Sequence, residues 1–202
     1  MYTLYHHPFS QNARRVVALL ESVGLEYQLS HVALDKGEHL SQAFLAINPN
    51  HQIPVLIDGK VKLFESNAIL RYLCTKHGLT DWYPDALATR ARVDQWLDWN
   101  QCRLAPTVTA IVLNQVFLGD AGDKSAITRG EEKLIELAAI LNAGLAEHDF
   151  IAGTQPTIAD LSIASNISQL GFADAIPKGS NITNWYQRVC ALEGVKKSLP
   201  QV

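Results

Sequence analysis

The chain has 202 residues, of which 48% are hydrophobic and 18% are charged, and its formal net charge at pH 7 is -3. This length and hydrophobic content exclude a disordered chain, because one large core or two smaller cores can be buried. The weakly acidic balance and the lack of any basic run make nucleic acid and anionic membrane surfaces poor partners.

The first part of the chain alternates between strand and helix patterns. The predicted elements are a strand over 2–5, a helix over 12–23, a strand over 27–32, a short helical or irregular piece over 40–47, strands over 54–57 and 61–64, and a helix over 66–76. Gly24 and Gly78 are expected to end the two longer helices, and Asp58-Gly59 to turn a hairpin. The resulting order is βαβαββα.

The second part of the chain shows only helical periodicity. Predicted helices cover 87–117, 125–147, 157–170 and 182–191. The first of these is expected to kink near Pro106, because an interior proline removes a helical hydrogen bond. We therefore predict an α/β domain over 1–78, a linker over 79–86 and an all-helical domain over 87–202.

The segment "IAGTQPTIADLSIAS" carries a helix start signal. Thr157 at the N-cap and Asp160 three residues later form a variant of the capping box, in which each side chain accepts a hydrogen bond from an unpaired backbone N–H. We interpret Asp160 as a structural residue for this reason.

Cysteine and histidine spacing indicates no metal centre. Cys74, Cys102 and Cys190 are far apart and include no CxxC motif, which favours buried small hydrophobes over a disulfide framework or a zinc site. His6 and His7 are adjacent, without the i, i+4 spacing of a helical metal pair. The first residues carry no signal segment, and no stretch reaches the roughly 20 apolar residues of a membrane span, so we expect a cytoplasmic location.

The turn "HHPFSQNARR" places Ser10 directly before the first helix. Serine is a common N-cap residue, so Ser10 is explained by capping alone. The N-terminus of a helix also favours an anion, so the same hydroxyl is placed to contact a ligand.

Four segments together carry a resemblance to a known family. They are "LYHHPFSQNAR", "KGEHLSQAFLAINPNHQIPVL", "LFESNAILRYL" and "WYPDALATRARVDQWLDW". The chain resembles a cytosolic glutathione transferase of the theta-like, serine-type group, in a short bacterial-style form without a long C-terminal extension. The resemblance implies an α/β thioredoxin-like N-terminal domain followed by an all-α C-terminal domain.

The resemblance also implies a catalytic residue. Glutathione must lose its thiol proton to attack an electrophile, and Ser10 matches the theta-like serine that holds the thiolate. Tyr5 is the rival hydroxyl, because other classes place a tyrosine at the end of the first strand. Glutathione is the co-substrate that the family uses, and no metal is implied.

Further site residues are expected from the same resemblance. The glutathione-binding set is Gln11, His39, Gln52, Ile53, Pro54, Glu65 and Ser66, with the Ile53-Pro54 bond cis as in the family. The electrophile site is assigned to Phe9, Asn12, Arg103 and Leu104. Asn12-Ala13 departs from the Pro-Cys that often follows "SQ" in theta-like proteins, which leaves the electrophile open.

Three functions fit this resemblance. The first is conjugation of glutathione to small, partly apolar electrophiles, with detoxification as the usual role. The second is glutathione-dependent peroxide reduction or dehalogenation at the same site, and the third is a noncatalytic module for binding or regulation. The family forms two-fold dimers, so a homodimer is expected.

Overall fold

The computed structural model describes residues 1–200. These residues form two compact units. One unit contains Met1–Leu79 together with the described residues from Leu192 onward, and the other contains Thr80–Ala191. The boundary between the units falls after Leu79, so residues 80–86 of the expected linker 79–86 are part of the second unit.

The first unit has a four-stranded sheet with helices. Its elements up to residue 79 are β1 Tyr2–His6, α1 Gln11–Val23, β2 Tyr27–His31, α2 Gln42–Leu45, β3 Val55–Asp58, β4 Val61–Leu63 and α3 Ser66–His77. Two short 3-10 turns, Leu34–Lys36 and Glu38–Leu40, precede α2. The predicted βαβαββα order is confirmed.

The sheet has the strand order β2-β1-β3-β4. Strand β1 pairs in parallel with β2, and β3 is antiparallel to both β1 and β4. Leu4 of β1 and Leu56 of β3 are opposite each other and fully buried. The core of the first unit is therefore centred on the β1–β3 pair.

Helices α1 and α3 end as their sequences predict. Gly24 and Gly78 adopt left-handed backbone conformations, with φ angles of 67° and 62°, and their N–H groups cap the preceding turns. Glycine reaches this conformation without the steric penalty of a Cβ atom. Both helix ends are thus determined by local sequence.

The second unit is helical. Its helices are α4 Leu87–Trp99, α5 Ala105–Val112, α6 Lys124–Gly144, α7 Ile158–Leu170 and α8 Ser180–Cys190. Two π-helical segments, Asn100–Leu104 and Leu113–Phe117, follow α4 and α5. The predicted single helix over 87–117 is thus one helical run with widened turns, and Pro106, which has no N–H, stands in the first turn of α5. No helix within residues 1–200 is long and apolar enough to cross a membrane.

Asp160 holds the start of α7, as the capping-box pattern predicts. Its Oδ2 accepts from the backbone N–H and the hydroxyl of Thr157 at 2.8 and 2.9 Å. Its Oδ1 accepts from the Ile151 N–H and the Trp185 indole N–H, both at 2.8 Å. Burial raises the pKa of the Asp160 carboxyl, and the four donors oppose that rise. The structural interpretation of Asp160 is confirmed.

A short last helix, α9 Glu193–Lys197, was not predicted from the sequence. It packs on α1, and Gly194 is the contact point: a Cβ there would lie 2.3 Å from the Ala18 carbonyl oxygen and 2.1 Å from Ser22 Oγ. Lys197 also pairs with Glu21 at 3.1 Å. Because this contact is with α1, α9 belongs to the first unit, whereas the sequence analysis placed all of 87–202 in the helical domain.

The cysteines differ from the interpretation as buried small hydrophobes. Only Cys74 is buried among the three, and its burial raises the pKa of its thiol to about 12. Cys102 is exposed in the first π-helical segment, and Cys190 is partly exposed at the end of α8. The sequence interpretation was therefore wrong for Cys102 and Cys190, whose exposure depends on the helix face that points outward.

Replacing Asp160 with asparagine should destabilise the protein strongly. The new amide NH₂ would face N–H and O–H donors, so we expect a loss of about 3 kcal/mol in the free energy of unfolding. Urea denaturation measures this loss. The control is Asp120→Asn at an exposed position, where a change within about 0.5 kcal/mol is expected. Equal effects of the two substitutions would contradict the role of Asp160.

Replacing Gly194 with alanine should weaken the α1–α9 contact. The added methyl would overlap a backbone carbonyl, so we expect about 1–3 kcal/mol of destabilisation. The matched control is Gly171→Ala, because a Cβ there meets only Ile176 at 3.5 Å, an ordinary contact. Urea denaturation of both variants checks the prediction, which fails if Gly194→Ala is as stable as Gly171→Ala.

Candidate functional site

Three segments with predicted site residues leave the sheet at the same end. The turn after β1 lies beside the segment before β3, because β1 and β3 are antiparallel with Tyr5 opposite Val55. The segment after β4 joins them, because β4 is antiparallel to β3 with Leu63 opposite Leu56. The topology thus places Ser10, the Ile53-Pro54 step and the Glu65-Ser66 pair at the same end of the sheet.

Ser10 is the N-cap of α1. Its backbone is extended, and its Oγ accepts a hydrogen bond from the Ala13 N–H at 3.3 Å. The hydroxyl hydrogen is therefore left to donate elsewhere, since the oxygen is the acceptor in this contact. The first N–H groups of a helix lack intrahelical partners, so donor groups of the backbone and of Ser10 lie together.

Tyr5, the rival hydroxyl, stands on β1. Its ring packs edge to face on Phe44 at 6.2 Å between centroids, within a cluster of Val32, Phe44, Ile53 and Val55. The tyrosine ring therefore has a packing role next to the Ile53-Pro54 segment. The choice of Ser10 over Tyr5 stays a prediction.

The turn before Ser10 is shaped by His7. The His7 carbonyl accepts from the Ser10 N–H at 2.9 Å, and the His7 Nδ1 accepts from the Phe9 N–H at 3.3 Å. An imidazole can accept at Nδ1 only when that nitrogen carries no proton. Burial and the neighbouring His31 lower the pKa of His7, which favours this neutral form.

His6 and His31 complete a group of three imidazoles, of which only the adjacent pair His6 and His7 is evident from the sequence. The β1–β2 register places His6 opposite His31, and the His7 and His31 ring centroids are 5.2 Å apart. Burial, His31 and His7 lower the pKa of His6 to about 4. Within residues 1–200, no group of three or more potential ligand side chains is arranged to hold a metal ion.

The segment before β3 presents main-chain groups. The Ile53-Pro54 peptide bond is cis, and Ile53 is 9% exposed. Among residues 1–200, the N–H and C=O of Ile53 have no backbone hydrogen-bond partner. The buried Asn48 holds the loop by donating to the Gln52 carbonyl at 2.7 Å and accepting from the Asn50 N–H at 3.0 Å. A ligand backbone can therefore pair with Ile53.

The N-terminus of α3 has an unusual cap. Glu65 at the N-cap has φ 65° and ψ 105°, and its side chain makes no capping hydrogen bond. A residue other than glycine at positive φ is held there by its surroundings, at an energy of about 1–3 kcal/mol. The exposed carboxylate of Glu65 and the N–H groups that open α3 are thus both available to a ligand.

Arg15 is a site residue that sequence reasoning missed. It has 0% exposure, and its Nη1 donates to Ser66 Oγ at 3.4 Å and to Asn67 Oδ1 at 3.3 Å. Burial and Arg14 lower the pKa of Arg15 to about 9, while the Glu65 carboxylate opposes the shift. An arginine on the apolar face of a predicted helix is the only local signal that could have pointed to it.

The remaining predicted glutathione-binding residues lie in the first unit. Gln11 is the first residue of α1, and Gln52 is exposed beside the Ile53-Pro54 step. His39 lies in the 3-10 turn before α2, where its Nδ1 is buried and has no hydrogen-bond partner among residues 1–200. If Nδ1 carries the ring proton, it can donate a hydrogen bond to a ligand carboxylate.

The predicted electrophile residues are divided between the units. Phe9, 38% exposed, and Asn12, whose Oδ1 is buried without a partner among residues 1–200, lie in the first unit. Arg103 is exposed in the second unit, whereas Leu104, 1% exposed, is part of that unit's core. This assignment stays a prediction for all four residues.

The arrangement in the first unit suits a small peptide ligand with an ionised group. Two helix N-termini and a buried guanidinium provide positive potential for anions. One exposed carboxylate can accept from an ammonium group, and Ile53 offers main-chain pairing. The Ser10 hydroxyl can donate to an anionic atom beside the start of α1.

Comparisons with known proteins agree for both halves of the chain. The family model described as "Glutathione S-transferase, N-terminal domain" matches residues 1–75, and the one described as "Glutathione S-transferase, C-terminal domain" matches residues 124–188. Glutathione S-transferase F10 of Arabidopsis thaliana is 33% identical over 93% of this chain and 91% of its own length. Glutathione S-transferase theta-1 of Mus musculus is 34% identical over 95% and 83%.

Solved structures of similar proteins share the fold. The crystal structure of glutathione transferase F2 from Populus trichocarpa has a TM-score of 0.88 and 30% identity, covering 98% of this chain and 97% of that one. The apo form of human glutathione-S-transferase T1-1 has a TM-score of 0.89 and 29% identity, covering 98% and 87%. The predicted thioredoxin-like domain followed by a helical domain is confirmed. On these matches in sequence and fold, the chain belongs to the glutathione S-transferase family.

Proposed function

We propose that this family member is a glutathione transferase that conjugates the glutathione thiolate to small, partly apolar electrophiles. The observation that carries the proposal is the meeting of three segments at one sheet end: the Ser10 turn, the Ile53-Pro54 step and the α3 N-terminus. The named relatives are glutathione S-transferases that are similar to this chain over most of its length, which supports the proposal.

Each part of glutathione has a proposed partner. The N-terminus of α3 binds the γ-glutamyl carboxylate through backbone N–H groups, and Glu65 accepts from the ligand ammonium. The main chain of Ile53 pairs with the cysteinyl residue, as in a short antiparallel ladder. The glycyl carboxylate is left for the polar residues of the surrounding loops, which are Gln11, His39 and Gln52.

Ser10 stabilises the thiolate by donating its hydroxyl hydrogen to sulfur. A thiol pKa of about 8.5 falls to about 6.5 if the thiolate is favoured by about 2.7 kcal/mol. A hydrogen bond to a charged acceptor contributes about 1.5–3 kcal/mol, and a helix N-terminus up to about 2 kcal/mol. These two interactions are sufficient together.

The reaction follows from this thiolate. The thiol proton passes to solvent when glutathione binds, and the sulfur lone pair then forms a bond to an electrophilic carbon. A leaving group departs with its electron pair, or an addition product is protonated by water. Phe9, Asn12, Arg103 and Leu104 are the proposed electrophile-contacting residues, and a substrate panel separates conjugation from peroxide reduction and dehalogenation.

The finer classification is also a proposal. The serine at position 10 and the theta-1 relative support a theta-like, serine-type member. The short bacterial-style form, the homodimer and the cytoplasmic location expected from the sequence stay predictions. Sedimentation analysis of the purified protein tests the dimer.

Ser10→Ala should raise the pKa of the bound glutathione thiol by about 1–2 units and lower kcat/KM by about tenfold or more, because one donor to the thiolate is lost. The ultraviolet absorbance of the thiolate, titrated from pH 5 to pH 9, measures the pKa. Tyr5→Phe is the matched control that removes the other candidate hydroxyl, and it should leave the pKa of the bound thiol unchanged. If Tyr5→Phe shifts the titration and Ser10→Ala does not, Tyr5 is the donor.

Glu65→Gln should weaken glutathione binding by about 1.5 kcal/mol, roughly tenfold, because the charge-assisted hydrogen bond to the ligand ammonium is lost. Calorimetry of reduced glutathione measures the dissociation constant. Glu26→Gln is the control, since Glu26 is exposed just before β2, at the opposite end of the sheet. Unchanged affinity in Glu65→Gln would remove this carboxylate from the site.

A further inference from the structure

Arg15 is fully buried on α1, where the other buried side chains apart from Arg14 are apolar. A buried guanidinium is retained at a large desolvation penalty unless hydrogen bonds and an opposite charge compensate it. Its partners are therefore informative about what it does. Two of its hydrogen-bond partners belong to the start of one other helix.

The contacts of Arg15 converge on the first residues of α3. Nη1 donates to both Ser66 Oγ and Asn67 Oδ1, which are side chains of the first and second helical residues. Glu65, the residue immediately before them, is the carboxylate that acts electrostatically on Arg15. Arg15 thus interacts with three consecutive residues at the helix end to which we assign the γ-glutamyl group.

This helix end lacks the usual means of fixing its geometry. Glu65 has a positive φ and its side chain makes no capping hydrogen bond. Most helices of this type begin with a side-chain acceptor that ties the first turn down. Here Nη1 of Arg15 holds the side chains of Ser66 and Asn67 through hydrogen bonds, and its charge adds to the positive end of the helix dipole.

We infer that Arg15 is a positioning residue for glutathione, holding the α3 N-terminus in the geometry that binds the γ-glutamyl carboxylate. The inference rests on the proposed function. Arg15 does not touch the thiol in this assignment, so it governs the affinity for glutathione and leaves thiolate formation at Ser10 unchanged. It acts through Ser66 and Asn67.

The test compares glutathione with an analogue in which 4-aminobutyrate replaces the γ-glutamate. The analogue keeps the amine, the thiol and the glycine but lacks the α-carboxylate that α3 receives. Calorimetry gives both dissociation constants for the wild type, Arg15→Met, Arg15→Lys and Asn67→Ala. Leu19→Ala is the control, because Leu19 is a fully buried residue of the same helix and is not among the partners of α3 residues named above.

Arg15→Met should bind glutathione about tenfold more weakly while its affinity for the analogue changes by less than about twofold. Arg15→Lys should show a smaller loss of the same kind, because an ammonium keeps the charge without the planar fork. The bound-thiol pKa should equal that of the wild type. Leu19→Ala should lower the stability of the protein without changing the ratio of the dissociation constants of the two ligands.

An equal loss of affinity for both ligands in Arg15→Met would overturn the inference, because a general loss of structure acts on both. Unchanged glutathione binding would overturn it as well. If Arg15→Met does not fold, the same comparison is made on Arg15→Lys and Asn67→Ala, which remove part of the contact. A wild-type protein that does not bind glutathione would reject the proposed function itself, and the inference with it.

Discussion

The pairing register of β1 is the constraint on which the first unit depends. β1 is parallel to β2 and antiparallel to β3. Its buried side chains belong to the core, and its last residue leads into the turn where the ligand is proposed to bind. A shift by one residue would move Leu4 out of the core, because side chains alternate between faces. The same pairing that buries Leu4 also sets the Ser10 turn beside the Ile53-Pro54 step.

The electrostatics of this sheet end are simple once the protonation states are considered. Burial and the neighbouring imidazoles lower the pKa values of His6 and His7, which favours the neutral form of both rings. The positive potential then comes from the ends of α1 and α3 and from Arg15. An anionic ligand is therefore attracted by the N–H groups of two helix ends and by one buried guanidinium.

Local features were predicted well from the sequence. Gly24, Gly78 and the Thr157–Asp160 capping box specify helix ends through neighbouring residues, and each is present in the structure. The candidate residues of the thiol site were reached through a resemblance, since a serine before a helix is also explained by capping alone. Their roles are still proposals.

Non-local features were not predictable in the same way. Arg15 and Ser66 are 51 residues apart, and the meeting of His6 with His31 depends on strand register. The widened turns after α4 and the packing of the last helix α9 on α1 also depend on contacts between elements. A sequence pattern predicts one helix or strand at a time, whereas each of these contacts joins two elements that are distant in the sequence.

Helix α9 has a consequence for the order in which the protein is completed during synthesis. Because it packs on α1, the first unit is built from both ends of the described chain, and the second unit is inserted between them. Domains tend to fold as they leave the ribosome, from the N-terminus onward. Here the β-sheet unit emerges first, but the surface of α1 around Ala18 and Ser22 stays uncovered until the last helix has been made.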